Sequence, residues 1–355
     1  MTRVLVAAWV GSTNLGDELV FTGLRAKLTA RGATVSAVSV DPPATAAAHG
    51  VQALDHRDLV GLINTVGDAD AVVFGGGGLL QDETSPLNLP YHLSRLAVAR
   101  RRATPFAAVG VGAGRLDTRL GRTLVRRGLR GAVGVTARDA ESVRLLEAVG
   151  LRGVQLAADL AVGLPTPEAA ALDRLVVCLR PWSAGRKRLP AGLRGDATPD
   201  ALVDAAARAL DEAADVTGLP VHFVALQSDR DDALHRRVAD RMAAAATTAA
   251  PGVGDVLAEI ARSRVVVAMR YHGGIGALLA ARPCVLIGYA PKVDALAREL
   301  GAGGALLDWS PAGIAGLPKA VEAVIGHQDA VAAGRQRLRR RDAANDAVLD
   351  RLLGP

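Results

Sequence analysis

The sequence predicts an α/β fold of two doubly wound parallel-sheet domains, and three observations carry that prediction. Short apolar, β-branched runs suited to strands buried on both faces recur along the chain, and helical segments alternate with them. Half of the 355 residues are hydrophobic, mostly Ala, Val and Leu, glycine is abundant beside them and aromatics reach only 3%, which favours helices packed closely on parallel sheets. The length exceeds what one small core organises, and the two prolines of LPTPE, residues 164–168, mark a linker.

The first strand is the run at residues 4–10, which ends in GSTNLGDE, residues 11–18, before a helix that runs to about Arg31. This turn lacks the G-x-G-x-x-G dinucleotide fingerprint and instead presents Asn14, Gly16 and Asp17 at a strand end. Asp17 either faces a ligand or serves the helix N-terminus, whose free N–H groups stabilise a carboxylate. Residues 35–40 read as the second strand, with Asp41-Pro42-Pro43 as its exit turn; 59–66 read as helical and 70–74 as the third strand.

Four glycines, Gly75 to Gly78, end that third strand, and Asp82 follows shortly after. Glycine permits positive φ and close backbone approach, as a loop around a phosphate or sugar requires, so Gly76 and Gly77 are candidate ligand contacts. Asp82 is a candidate for orienting a hydroxyl or moving a proton. A helix at 91–102, a strand at 106–111 and a basic helix at 119–130 come next, the arginines of the last forming a solvated face. A short strand at 134–136 exits at Arg138-Asp139, a helix at 140–149 closes at Gly150, and 156–159 is the last piece of the first domain, residues 1–165.

The second domain, residues 172–330, opens with a strand at 175–179 that exits at Arg180-Pro181-Trp182, followed by a Gly/Pro/basic loop at 183–199 holding Arg186, Lys187 and Arg188. A helix at 200–217, a strand at 221–226 and helices at 231–246 and 254–262 lead to RVVVAMRYHGGIGALLAARPCVLIGYAPK, residues 264–292. There the strand at 265–269 ends at Arg270 and His272, with Gly273 and Gly274 preceding a helix at 275–281. Pro283 ends that helix, 285–288 is the next strand, and Tyr289, Pro291 and Lys292 follow its end. Ligands of open α/β sheets sit at the carboxyl ends of strands, where helix N-termini offer free N–H groups to anions. A cation, an imidazole and bare backbone therefore converge at one corner.

The remainder reads as a helix at 295–300, an extended piece at 305–307 and helices near 313–325 and 330–353. The basic C-terminal helix, 331–355, carries arginines from Arg335 to Arg341, read as a solvated face with membrane-surface contact as the sharper alternative.

A net charge of +6 and a pI near 9.9 favour anionic partners such as phosphorylated metabolites or an acidic membrane face. Nucleic acid is not expected, because the ten aromatics are scattered and form no stacking pattern. Cys178 and Cys284 fall in predicted buried strands without metal-ligand spacing, so they read as inert thiols, and no metal site is expected. With no charged leader ahead of an apolar signal region and no apolar run of about 18 residues, a soluble cytoplasmic protein is expected.

Six segments in order, GSTNLGDE, GGGGLLQDE, TARDAES, CLRPW, MRYHGG and GYAPK, resemble the polysaccharide pyruvyl transferase family over roughly residues 3 to 310. The resemblance implies a GT-B-like fold, in which two Rossmann-like halves face a cleft. It also implies transfer of the pyruvyl group of phosphoenolpyruvate onto two hydroxyls of one sugar, giving a cyclic ketal and free phosphate, with no cofactor beyond the donor substrate. The acceptor it implies is a saccharide of a cell-wall or exopolysaccharide precursor, lipid-linked or not, at the cytoplasmic membrane face.

Arg270 and His272 match the family's Arg-x-His motif and are expected to form the phosphate and acid/base site. Arg180 would take the donor's other anionic end, since guanidinium groups bind oxyanions bidentately. Lys292, in a segment resembling the family's Tyr-x-x-Lys, and Arg138 would add charge to the phosphate pocket, although Arg138-Asp139 reads equally as a structural ion pair. His272 is the acid by type and Asp82 or Asp17 the base. Asn14, Gly76, Gly77 and Gly273 complete the candidate binding set. Tyr271 and Gly273-Gly274 depart from the commoner family form, which has bulkier residues there, and this bears on the shape of the pocket. The rival readings are a GT-B glycosyltransferase with a nucleotide-sugar donor and a non-catalytic membrane scaffold.

Overall fold

The computed structural model describes residues 1–82, 87–167, 169–170, 172–181, 200–288 and 291–354. Its first half runs β1 (Arg3–Val10), α1 (Leu15–Thr29), β2 (Thr34–Ser39), α2 (Pro42–His49), β3 (Gln52–Asp55), α3 (Leu59–Asp68), β4 (Ala71–Gly75), α4 (Asn88–Arg101), β5 (Phe106–Val111), α5 (Arg119–Leu129), β6 (Val135–Ala137), α6 (Ala140–Ala148) and β7 (Gln155–Leu156). All seven strands pair in parallel in the order β3-β2-β1-β4-β5-β6-β7. A 3₁₀ turn at Leu160–Gly163 leads out.

The second half runs β8 (Leu175–Cys178), α7 (Asp200–Thr217), β9 (Val221–Val224), α8 (Ser228–Ala239), β10 (Thr247–Ala249), α9 (Val256–Ala261), β11 (Val265–Ala268), α10 (Tyr271–Leu279), β12 (Cys284–Gly288), α11 (Pro291–Leu300), β13 (Gly304–Asp308), α12 (Pro311–Ile314), α13 (Leu317–Val324) and α14 (Gln328–Leu353). Its six strands are also parallel, in the order β10-β9-β8-β11-β12-β13. In each sheet the strand order reverses once, between β1 and β4 and between β8 and β11. Those reversals open the crevices where α/β sheets bind ligands.

Several elements differ from the sequence reading for local reasons. The segment read as the exit turn at Asp41-Pro42-Pro43 begins α2, since Asp41 caps it through Ala44 N at 3.0 Å and proline occupies its first turn. The edge strands β3 and β10 are short and partly exposed, so neither leaves a buried apolar run to read. Helix α10 starts at Tyr271, four residues earlier than expected, and Gly273 and Gly274 lie inside it rather than in a loop. A Cβ on Gly273 would meet Cys178 at 3.0 Å and one on Gly274 would meet Leu286 and Leu296 at 2.8 Å, so these glycines serve close packing of α10 on the sheet and α11. Helix α11 likewise begins at Pro291, not at 295, which puts Lys292 in its first turn. Trp182, the basic loop at 183–199 and Tyr289 lie outside the described residues.

Helix α14 clasps both halves. Toward the second, Arg335 Nη1 donates to Leu279 O at 2.6 Å, and Arg337 and Arg341 both engage Glu299 of α11. Toward the first, Arg339 Nη2 donates to Leu164 O at 2.9 Å, Asn345 Nδ2 donates to Ala158 O at 3.0 Å, and Lys27 of α1 bridges Asp342 and Asp346. The basic face stays partly exposed, and four of its arginines also hold carbonyls and a carboxylate of neighbouring elements. An apolar core continues across the join, with Leu19, Ala158 and Ala161 packed in one cluster with Val176, Ile275 and Leu338. No described helix is long and apolar enough to cross a membrane.

Candidate active site

The loop after β1 is built by its own side chains. Glu18, buried in α1, accepts the N–H groups of Gly11 at 2.9 Å and Ser12 at 3.1 Å on one oxygen and meets His49 Nε2 at 2.7 Å with the other. Asn14 caps α1 by accepting from Gly16 N and donates to Asp17 at 2.6 Å. The Asp17 carboxylate is therefore held by a side chain rather than used as the helix cap. Gly76 and Gly77, at φ 61° and 75°, turn the chain after β4, and a Cβ on Gly77 would stand 3.4 Å from Asp17.

Across the cleft, Arg270 sits at the N-cap position of α10. Its Nε donates to Asp231 Oδ2 at 2.9 Å, and its Nη2 engages Gln227 Oε1 and Asp231, leaving Nη1 with no protein partner among the described residues. Asp231 also accepts from Leu226 N and Gln227 N, so its buried charge is fully hydrogen-bonded.

The halves meet at these groups. Leu15 N donates to Leu226 O at 2.8 Å. An added Cβ on Gly16 would fall 2.2 Å from His272 Nδ1, so only glycine lets the imidazole seat against α1. His272 Nε2 lies 3.4 Å from Asp159 Oδ1, and Arg138 Nη1 donates to Asp159 Oδ2 at 3.1 Å. Tyr271 stands between two cations, with the Arg138 guanidinium 4.8 Å and Lys292 Nζ 5.7 Å from its ring centroid.

These surroundings set protonation. Burial opposes charge on Asp159, but His272, Arg138 and the Ala161 amide outweigh it and hold its carboxyl well below the ordinary range. Burial also opposes charge on Arg138, and Tyr271, Asp159 and Asp139 outweigh it, so that guanidinium is held more firmly protonated than usual. Asp17 behaves oppositely. It keeps some exposed area at the cleft wall, yet protein surrounds it, and burial raises its carboxyl above 3.8 against the pull of His272, Asn14 and Lys292.

A cavity of about 60 Å³ joins Asn14, Asp17, Arg138, Arg180, Arg270, His272 and Lys292, with Gly78, Leu226 and Tyr271 completing its wall. A basin of about 680 Å³ elsewhere is larger, but it lies at the N-terminal ends of β6 and β7 and holds no acid or base. The small cavity is the one that gathers cations, an imidazole and a carboxyl. Asp82 stands apart from it: its carboxylate accepts from Asp117 N, Thr118 N and Thr118 Oγ1 and so fixes the start of α5, and those bonds lower its pKa despite partial burial. Gly76, Gly77 and Gly273 shape the surrounding backbone without lining the cavity. Sequence reading missed Asp159 and Asp231; Asp159 ends an extended segment, which is the signal that marks such a residue. Among the described residues no three His, Cys, Asp or Glu side chains group closely enough to hold a metal ion.

A family model described as polysaccharide pyruvyl transferase matches residues 14–291. No curated protein matches the chain. Among solved structures, S. aureus MnaA with UDP aligns with a TM-score of 0.65 at 12% identity, covering 99% of this chain and 95% of that one. The UDP-GlcNAc 2-epimerase of Neisseria meningitidis bound to UDP-GlcNAc aligns with a TM-score of 0.61 at 10% identity, over 99% and 100%. The glycosyltransferase SnogD of Streptomyces nogalater aligns with a TM-score of 0.57 at 17% identity, over the whole of both chains. At these identities the likeness is one of fold, and the fold is that of the GT-B glycosyltransferases and epimerases.

Proposed function

The chain belongs to the polysaccharide pyruvyl transferase family, and from that premise we propose that it moves the pyruvyl group of phosphoenolpyruvate onto two hydroxyls of a saccharide, closing a cyclic ketal and releasing phosphate. One observation carries the reading: Arg138, Arg180, Arg270 and Lys292 surround an imidazole and a raised-pKa carboxyl in a single cavity between the halves.

Phosphoenolpyruvate bears a carboxylate and a phosphate, and four cations suit both ends. His272 protonates the enol CH₂ carbon, leaving an oxocarbenium-like centre at the adjacent carbon. A sugar hydroxyl attacks that centre while Asp17 removes its proton. The phosphate then leaves from the same carbon with its C–O electron pair, the second hydroxyl adds and returns a proton to His272, and the ketal forms without oxidation or reduction, the proton held by Asp17 passing to the released phosphate. Arg270, clamped by Asp231, and Arg138, clamped by Asp159, keep fixed positions toward the phosphate as charge builds.

The cavity, about 60 Å³, lies where the halves meet, beside the Leu15–Leu226 hydrogen bond. The acceptor is a saccharide of a cell-wall or exopolysaccharide precursor, reached at the cytoplasmic membrane face by peripheral contact. The test is phosphate release from phosphoenolpyruvate with a panel of saccharides and lipid-linked saccharides. One phosphate per ketal carbon, seen by NMR, supports the reading. The second reading, a nucleotide-sugar glycosyltransferase, is favoured only by fold neighbours solved with UDP or UDP-GlcNAc; phosphoenolpyruvate inert with every acceptor, and a nucleotide sugar consumed, would establish it.

A further inference from the structure

The far end of the first half carries a basin unrelated to the cleft. It has a volume of about 680 Å³, within the range of small-molecule sites, and is walled by Arg126, Arg127 and Arg130 at the end of α5, Arg152 after α6, and Arg351 of α14. Its floor is the chain entering β6 and β7, so it faces away from the strand ends that carry Asp17, Arg138 and His272.

All five arginines are exposed, and none of their guanidinium groups has a hydrogen-bond or ion-pair partner among the described residues. No acidic residue lines the basin. Cations at a helix C-terminus favour the helix dipole, which accounts for Arg126, Arg127 and Arg130 singly. It does not account for Arg152 and Arg351, which come from two other elements and converge on the same space. Five like charges repel one another across a concave surface, and an arrangement of that kind is relieved by a multiply charged anion. Guanidinium forks match phosphate oxygens in geometry as well as charge.

We propose that this basin is a second anion site, distinct from the donor cleft, which takes a ligand bearing two or more phosphate groups. Free polyphosphorylated metabolites and clustered phospholipid headgroups share that chemistry. Inorganic tripolyphosphate titrated calorimetrically into the full chain, and flotation with phosphatidylglycerol vesicles against phosphatidylcholine vesicles, separate the two sources. The variant is Arg127→Glu/Arg152→Glu, and Arg298→Glu/Lys319→Glu, exposed on the other half, matches its charge change.

One tripolyphosphate bound per chain, weakened about tenfold or more in the basin variant and unchanged in the control, establishes a soluble ligand class, since like charges placed in one site oppose binding strongly. Flotation with phosphatidylglycerol alone, lost only in the basin variant, establishes the headgroup. Either outcome leaves the thermal response to phosphoenolpyruvate intact in the basin variant. Absence of binding in both assays, or equal loss in both variants, overturns the proposal.

Discussion

Replacing Asp159 with Asn keeps the shape of the side chain and removes one buried charge from the join between the halves. In the native site Asp159 Oδ2 receives Arg138 Nη1 at 3.1 Å, and Oδ1 receives Ala161 N at 3.1 Å and lies 3.4 Å from His272. Removing one partner of a buried ion pair costs about 3–5 kcal/mol, because the other charge stays buried. Asp139, 3.4 Å from Arg138 Nε, still faces the guanidinium and places the loss at the lower end, about 3 kcal/mol. That corresponds to a fall of roughly 6–12 °C in the unfolding midpoint for halves of this size.

The pH dependence has a definite sign. The Asp159 carboxyl is depressed in the folded chain, so its contribution is present above the ordinary value of 3.8 and is lost as pH falls through the depressed value. The gap between wild type and variant in urea midpoint is therefore widest near pH 7 and narrows below about pH 4. The same substitution removes the carboxylate facing His272 and slows phosphate release from phosphoenolpyruvate by about 10²-fold, the lower end of acid–base contributions. An unchanged urea midpoint at pH 7, or a gap that widens as pH falls below 4, would count against this.

Asp17→Asn acts in the opposite direction on stability: its carboxyl is raised by burial, so the ionised form opposes folding above 3.8, and the neutral side chain raises the midpoint at pH 7 while turnover falls. A lowered midpoint at pH 7 would contradict this. Gly16→Ala drives a methyl into the His272 ring at 2.2 Å and is expected to cost about 1–3 kcal/mol, measured by urea unfolding, with weaker phosphoenolpyruvate binding alongside. Asp82→Asn loosens the start of α5 by about 1 kcal/mol but leaves phosphoenolpyruvate affinity unchanged, because its carboxylate serves Thr118 and Asp117; a large loss of affinity would return Asp82 to the reaction.

Both sheets were legible in the sequence because their central strands are continuous apolar runs, such as VLVAAWV and RVVVAM, that only a parallel sheet covered on both sides accommodates. The edge strands β3 and β10 were not, since a short half-exposed strand has no such run. Site residues at strand ends, Asn14, Asp17, Arg138, Arg180, Arg270, His272 and Lys292, were legible for the same topological reason. What pairs with them was not. Asp159 and Asp231 acquire their roles from contacts made across 113 and 39 positions of sequence, which no local pattern encodes. Asp82 misled because a carboxylate following a glycine turn looks the same whether it faces a ligand or a loop. The partners of the C-terminal arginines were not legible either, because Glu299, Leu279 O and Leu164 O lie on other elements.

Thermal unfolding with phosphoenolpyruvate beside a set of nucleotide sugars tests the donor's identity. A ligand that binds only the folded chain stabilises it by about 2.7 kcal/mol at a hundred times its dissociation constant. Phosphoenolpyruvate alone is expected to raise the midpoint, and Arg270→Ala to abolish the rise. A rise with nucleotide sugars and none with phosphoenolpyruvate would contradict it.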